Sequence, residues 1–368
     1  MSELRLYDFE LPISLADMER LQVMLREMGI FCTCPTDIDR YNWQTYGMAA
    51  AEHNTDTRAF FDRNVFSDVV SLARSSDLDE APASIERGRM GAAVMAFLQC
   101  CNIMIEPSLA LYEEPAGANQ DLRLFRRADE VDARIYTEIA FGRLDRIPRG
   151  QLPPPKIEPQ PIDSARAIKG ARIYRIAVLK IAQLELSNLR PLTKLKQFLD
   201  WVFHDFVFLP AAITLAAQQF APSRGKPLLR HLRSLDRQQA LRGIQNAVWD
   251  LLVAMSWSEE VLKQKQEKRF WLLCSRDESL KQLASKLLFI PVQGESREVA
   301  LRRIYSELWG QELGRALSSE VMSLITDKDS PRRKCNQSEP DFEQHIDALE
   351  IELEQRVLDW RPQSKGHS

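Results

Sequence analysis

The sequence predicts an α/β fold in which a parallel sheet is flanked by helices, with a large helical insertion and a C-terminal helical region. Three short apolar runs have strand length: Ala59–Phe61, Ile103–Ile105 and Phe270–Leu273. A helix-forming segment follows each of them, and this alternation is typical of parallel sheets. The strongly helical stretch 165–220 lies between the second and third runs, so it is expected to be an insertion.

The order of the predicted elements divides the chain into five segments. They are an N-terminal helical segment (1–56), the first part of the α/β domain (57–118), a mostly helical insertion with a proline-rich linker (119–243), the second part of the α/β domain (244–290) and a C-terminal helical tail (291–368). The tail is expected to be partly disordered, because residues 326–340 are polar and carry no apolar periodicity.

Capping and stop signals predict the helix boundaries. The first helix, Ser14–Met28, begins at a capping serine and stops at Gly29. The helix after the first strand is expected to end in an acidic loop over 75–84, and the next helix covers Ser84–Cys101. A short helix over Leu109–Glu114 follows the second strand. Later helices are predicted over 244–257, 278–288, 297–325 and 343–360.

Composition excludes several classes of protein. Among 368 residues, 49 Lys and Arg face 52 Asp and Glu, so no global basic surplus indicates nucleic-acid binding. No apolar run reaches the length of a membrane span and no signal peptide is visible, so a cytoplasmic protein without membrane contact is expected. The six cysteines lack metal-site spacing and are expected to be reduced thiols.

Acidic residues follow each of the three predicted strands. Asp62 comes directly after the first, Glu113 and Glu114 end the helix after the second, and Asp277 lies just beyond the third. Ligands of open α/β sheets bind at the carboxyl ends of the strands, so these acids are candidate metal ligands. For Asp62 alone, a role limited to capping the following helix is an equally good interpretation.

A fourth acid, Asp250, interrupts the otherwise apolar predicted helix 244–257. A carboxylate in such a run is costly unless it faces a pocket, a metal or a partner. Four converging carboxylates cannot all stay ionised without cations, and Mg²⁺ or Mn²⁺ suits hard oxygen ligands. Such ions activate water and stabilise a leaving oxygen, so the expected chemistry is metal-dependent hydrolysis of phosphodiester bonds.

Four short segments together resemble the PIN domain family of nucleases: FFDRNVFSDV, PSLALYEE, AVWDLLVA and FWLLCSRDESLKQLA. The resemblance implies a parallel sheet with an acidic, Mg²⁺- or Mn²⁺-dependent site that cuts RNA or DNA. It assigns the metal-binding and catalytic roles to Asp62, Glu113, Asp250 and Asp277. The same resemblance gives supporting roles to Asn64, which would orient Asp62, to Glu114 as the rival second acid, and to Ser275.

The chain is longer than compact PIN toxins and leaves room for an extra loop over 256–269, so an enlarged PIN-like member is expected. The favoured function is an RNase, in a bacterial toxin or defence role. An inactive PIN-like scaffold and an unrelated α/β protein are the alternatives. Arg63 and Arg276 lie beside the acids, but ordinary exposed side chains are the favoured interpretation for both. A protein partner or inhibitor and the oligomeric state stay open.

Overall fold

A computed structural model describes residues 10–32, 39–78, 82, 84–156, 158, 160, 163–223, 225–288, 296–327, 330–337 and 342–362. Within these residues the chain is mostly helical, and three strands form one sheet. The expected parallel sheet with flanking helices is therefore confirmed, and the sheet is small. In the described part of the chain, no helix combines the length and the apolar character that crossing a membrane requires.

The strands are β1 (Asp56–Phe61), β2 (Met104–Glu106) and β3 (Arg269–Cys274). The helices in the first part of the chain are α1 (Leu15–Met28), α2 (Trp43–His53), α3 (Arg63–Leu78), α4 (Ile85–Cys100), α5 (Ser108–Tyr112), α6 (Ala118–Asp129), α7 (Ala133–Ala140) and α8 (Ser164–Leu186). The later helices are α9 (Pro191–His204), α10 (Pro210–Phe220), α11 (Arg237–Glu267), α12 (Glu278–Leu287), α13 (Arg297–Trp309), α14 (Gln311–Thr326), α15 (Pro331–Gln337) and α16 (Phe342–Asp359).

The chain divides into two compact units. The first contains Met1–Ala165 and Glu259–Asp277, and the second contains Arg166–Ser258 and Glu278–Ser368. The whole sheet belongs to the first unit. The division differs from the five predicted segments, because α6 and α7 belong with the sheet and most of α11 belongs to the helical unit.

The sheet has the order β2-β1-β3, and both pairings are parallel. Strand β1 is central because its apolar residues pack on both faces, with Phe61 in the core and Phe60 stacked on Trp271 at 4.5 Å between ring centroids. The register pairs Phe61 with Cys274. The residues that follow these two positions therefore leave the sheet side by side.

Local signals explain the helices that support the sheet. Ser14 caps α1 by accepting the Asp17 backbone N–H at 3.1 Å, and Gly29 ends it in a left-handed conformation, as predicted. Helix α3 buries an apolar face on the sheet, and α4 packs against it closely. A Cβ at Gly91 of α4 would lie only 3.2 Å from the Asp68 Cβ of α3, so glycine permits this approach.

Three predicted boundaries are wrong for identifiable reasons. The acidic loop does not begin at residue 75, because α3 continues to Leu78 and the Ser75 hydroxyl donates to the Leu72 carbonyl at 2.8 Å. Helix α5 ends at Tyr112 instead of Glu114, because Pro115 disfavours helical conformation in the residue before it. The expected loop over 256–269 is mostly helical, since its Glu, Lys and Gln residues are strong helix formers.

The expected disorder over 326–340 is contradicted in part, because Pro331–Gln337 forms α15. Proline suits the first position of a helix, and the Arg332 side chain bonds to Asp205 and Asp200 of the same unit. Residues 328–329 and 338–340 of that stretch lie outside the described residues.

Helices α13 and α14 cross so closely that only glycine fits at one position. A Cβ on Gly314 would lie 2.4 Å from the Ser306 Cα, a contact with backbone that no side-chain motion relieves. We expect Gly314→Ala to lower the free energy of unfolding by about 2 kcal/mol, measured by urea denaturation. Gly170→Ala in α8, where the space is open, is the matched control and should stabilise by about 0.5–1 kcal/mol. Equal stability of the two variants would contradict the packing argument.

Candidate active site

Asp62 lies between β1 and α3 and is only 4% exposed. Its carboxylate oxygen Oδ2 accepts the Ser275 hydroxyl at 2.6 Å and also the Asn64 side-chain amide. Asp62 directly precedes α3, which is the position of a helix-capping residue. The contact with Ser275, which directly follows β3, goes beyond capping, so Asp62 is part of a local polar cluster.

The residues after β3 complete this cluster. Ser275 is fully buried, and its Oγ accepts the Asp277 backbone N–H at 2.9 Å while it donates to Asp62. The Arg276 backbone N–H donates to the Asn64 Oδ1 at 3.1 Å. The parallel pairing of β1 and β3 thus brings together four residues that the sequence singled out: Asp62, Asn64, Ser275 and Asp277.

The electrostatics of Asp62 are unfavourable for a carboxylate. Its pKa is raised to about 6, mainly by burial and in smaller part by the negative charge of Asp277. The Ser275 hydroxyl, the Arg63 backbone N–H and the Arg276 guanidinium lower the pKa and offset part of that effect. A bound cation would relieve the remaining penalty, because it favours the ionised form.

Glu113 directly follows α5 and is half-buried. Its pKa is raised to about 7, mainly by burial and next by the charge of Asp62, while Arg63 lowers it. The mutual repulsion means that Glu113 lies within electrostatic reach of Asp62. The second strand therefore contributes an acid to the same end of the sheet.

Glu114 is turned to a different partner. Its carboxylate accepts the Arg63 guanidinium at 2.6 Å, and its side chain is 63% exposed. Arg63 also donates to Asp121 at 3.3 Å and to the Ala110 carbonyl at 3.4 Å. Of the two rival acids, Glu113 is thus the one whose charge is coupled to Asp62, and Glu114 forms an ion pair at the surface.

Asp250, the fourth predicted ligand, lies within α11 in the second unit and is half-buried. The contacts that tie Asp62 to Ser275, and Asn64 to Arg276, are formed entirely within the first unit. The cluster described here is therefore built from three acids, Asp62, Glu113 and Asp277.

Sequence reasoning missed a buried acid of α3. Asp68 is 6% exposed and pairs with the Arg276 guanidinium at 3.0 Å. Burial raises its pKa to about 6, while Arg276 and Arg87 lower it. The criterion applied to Asp250, a carboxylate within an apolar helical run, identifies Asp68 equally well. The expectation of ordinary exposed side chains is also wrong for Arg276 and Arg63, because both are largely buried in ion pairs.

The donor chemistry of the three acids fits Mg²⁺ or Mn²⁺, since all are hard oxygen ligands and two are destabilised by burial and repulsion. Within the described residues, no group of three or more His, Cys, Asp or Glu side chains is placed to hold an ion. Mg²⁺ keeps several waters and is commonly bound through one or two carboxylates. Asp62 with one neighbouring acid satisfies that requirement.

Comparison with family models, curated proteins and solved structures finds no match to this chain. The resemblance to PIN domains stays a prediction from the sequence. The geometry and charge of the cluster are the remaining indications of function.

Proposed function

We propose that this protein is a metal-dependent hydrolase of phosphodiester bonds, a PIN-like nuclease with RNA as the favoured substrate. One observation supports the proposal above all others: Asp62, Glu113 and Asp277 follow three adjacent parallel strands, and the charge of Asp62 is repelled by both of the other acids at one end of the sheet. A site that concentrates several carboxylates is suited to a divalent cation. The end of the sheet where it lies is the usual position of ligands in such folds.

In this proposal each acidic side chain has a defined task. Asp62 is the central ligand, and Glu113 and Asp277 flank it. A bound Mg²⁺ or Mn²⁺ supplies the polarisation of the phosphate and the activation of water. Ser275 and Asn64 hold Oδ2 of Asp62, so the carboxylate keeps one orientation and pays no reorganisation cost when the cation arrives. Asp250 remains the proposed fourth acid on the resemblance alone.

The test is cleavage of labelled single-stranded RNA and DNA by the full-length protein with Mn²⁺ and with EDTA. We expect metal-dependent cleavage of RNA that falls at least about a hundredfold in Asp277→Asn. Asp205→Asn is the matched control, because Asp205 pairs with Arg332 in the other unit. It should lower stability and leave the cleavage rate of the folded protein within about twofold. Faster cleavage of DNA than of RNA would change the proposed substrate but not the proposed metal-dependent hydrolysis.

The runner-up function is a PIN-like interaction module without catalysis. It is favoured by the lack, among the described residues, of a preformed group of three metal-type side chains. Absence of cleavage of either nucleic acid, together with absence of Mn²⁺ binding in calorimetry, would move the assignment to this module. We further propose a toxin or defence role and a partner protein that restrains the enzyme. Both proposals can be tested by identifying proteins that bind the same purified protein.

A further inference from the structure

An ion pair between a buried aspartate and a half-buried arginine links α3 to the turn that follows β3. The Asp68 carboxylate and the Arg276 guanidinium lie 3.0 Å apart, and both residues belong to the first unit. Helix α4 makes room for this acid, because any Cβ at Gly91 would lie 3.2 Å from the Asp68 Cβ. Burying a carboxylate in this way is costly, and an apolar residue would pack as well, so stability alone does not explain the pair.

Arg276 connects the pair to the acid cluster. Its Nη2, which bonds to Asp68, also donates to the Asn64 backbone carbonyl at 3.2 Å. Its backbone N–H donates to the Asn64 Oδ1 at 3.1 Å. Arg276 therefore fixes both the backbone and the side chain of Asn64.

Asn64 passes this constraint to Asp62. Because its Oδ1 accepts from Arg276, its NH₂ group faces the other way, towards Oδ2 of Asp62 and the Ser275 Oγ, the latter at 3.4 Å. An amide has only one carbonyl oxygen, so the two contacts define its orientation uniquely. The path from Asp68 to Asp62 thus consists of hydrogen bonds at every step.

We propose that Asp68 is a positioning residue of the acid site, which holds Arg276 so that Asn64 and the turn after β3 present Asp62 to a divalent cation. The inference deepens the proposed function and rests on it. Removing the Asp68 charge frees the Arg276 guanidinium and loosens Asn64, although neither Asp68 nor Arg276 is expected to touch the cation. Partners of this kind typically contribute 10- to 100-fold to metal affinity, and we expect a loss within about that range.

The experiment measures the Mn²⁺ dissociation constant of the full-length protein by calorimetry and the Asn64 side-chain NH₂ resonance by NMR in the metal-free state. We expect Asp68→Asn to weaken Mn²⁺ binding at least about tenfold and to move the Asn64 resonance. Glu185→Gln is the matched control, because it removes the acid of the buried Lys194–Glu185 pair of the second unit. It should lower stability by a comparable amount and leave both readouts unchanged.

Should Asp68→Asn fail to fold, Arg276→Lys replaces it, since lysine retains a positive charge but lacks the planar guanidinium whose Nη2 reaches both Asp68 and the Asn64 carbonyl. Unchanged Mn²⁺ affinity and an unmoved Asn64 resonance in the folded variant would overturn the positioning role while the proposed function stands. A wild-type protein that binds no Mn²⁺ and cuts no nucleic acid would overturn the proposed function itself, and the positioning role with it.

Discussion

Asp62→Asn is expected to lower the rate of Mn²⁺-dependent RNA cleavage by at least about a thousandfold, measured under single-turnover conditions. Asparagine has nearly the same shape and can still accept the Ser275 hydroxyl and the Asn64 amide, so the local hydrogen bonds survive. What disappears is the negative charge at the centre of the cluster. Since a neutral amide is a poor ligand for Mg²⁺ or Mn²⁺, the cation and its chemistry are lost together.

Ser275→Ala provides the comparison that separates charge from orientation. It removes one hydrogen bond to Asp62 and keeps the carboxylate, so cleavage should fall only about tenfold and recover partly at high Mn²⁺ concentration. Asp62→Asn should not recover at any Mn²⁺ concentration. Cleavage by Asp62→Asn within about tenfold of the wild-type rate would mean that the metal is bound elsewhere, and Asp62 would then be only a helix cap.

The positions of Asp62 and Ser275 could be predicted from the sequence, because both residues follow the carboxyl end of a predicted strand. The apolar runs that form β1 and β3 each stop at a polar residue, and parallel strands present their carboxyl ends at the same edge. The sequence could not give the strand order. The register that pairs Phe61 with Cys274 is what places Asp62 next to Ser275, and it results from packing over the whole sheet.

The choice between Glu113 and Glu114 also could not be made from the sequence. Adjacent acids have the same local pattern, and their roles are separated by a long-range contact: Arg63 takes Glu114 into an ion pair, while Glu113 faces the charge of Asp62. The predicted helix over Leu109–Glu114 obscured this difference. Because α5 ends at Tyr112, the two acids leave the helix one after the other and turn to different partners.

Asp68 illustrates the other limit of sequence reasoning. Its burial within an apolar helical face marks it as unusual, but its partner Arg276 lies more than two hundred residues away in the chain. Nothing local distinguishes an arginine that ends in a buried ion pair from one that extends into solvent. Only the pairing of β1 with β3 brings the start of α3 to the turn after β3.

The burial of Glu113 and Asp62, together with the repulsion between the acids, predicts an unusual pH dependence for the metal-free protein. The pKa of Glu113 is raised from 4.5 to about 7, so the folded state binds this proton more tightly than the unfolded state does. Stability from this group is then fully present below pH 4.5 and is lost as the pH rises through about 7. Asp62, with its pKa raised to about 6, acts in the same direction. The melting temperature in EDTA should therefore rise when the pH is lowered from 8 to about 6.

Glu113→Gln should remove much of this dependence, and it should raise the free energy of unfolding at pH 8 by about 2 kcal/mol, after allowance for the partial exposure of the side chain. The gain arises because glutamine carries no charge, so neither burial nor Asp62 penalises it. Glu114→Gln is the matched control. The Glu114 carboxylate forms an exposed ion pair with Arg63, so losing this carboxylate should lower the free energy of unfolding by no more than about 1 kcal/mol.

Adding Mn²⁺ should stabilise the wild-type protein more than it stabilises Glu113→Gln, because the cation relieves the repulsion only where both charges are present. A Glu113→Gln variant that is less stable than wild type at pH 8 in EDTA would show that Glu113 serves the fold, and the three acids would then lose their common explanation.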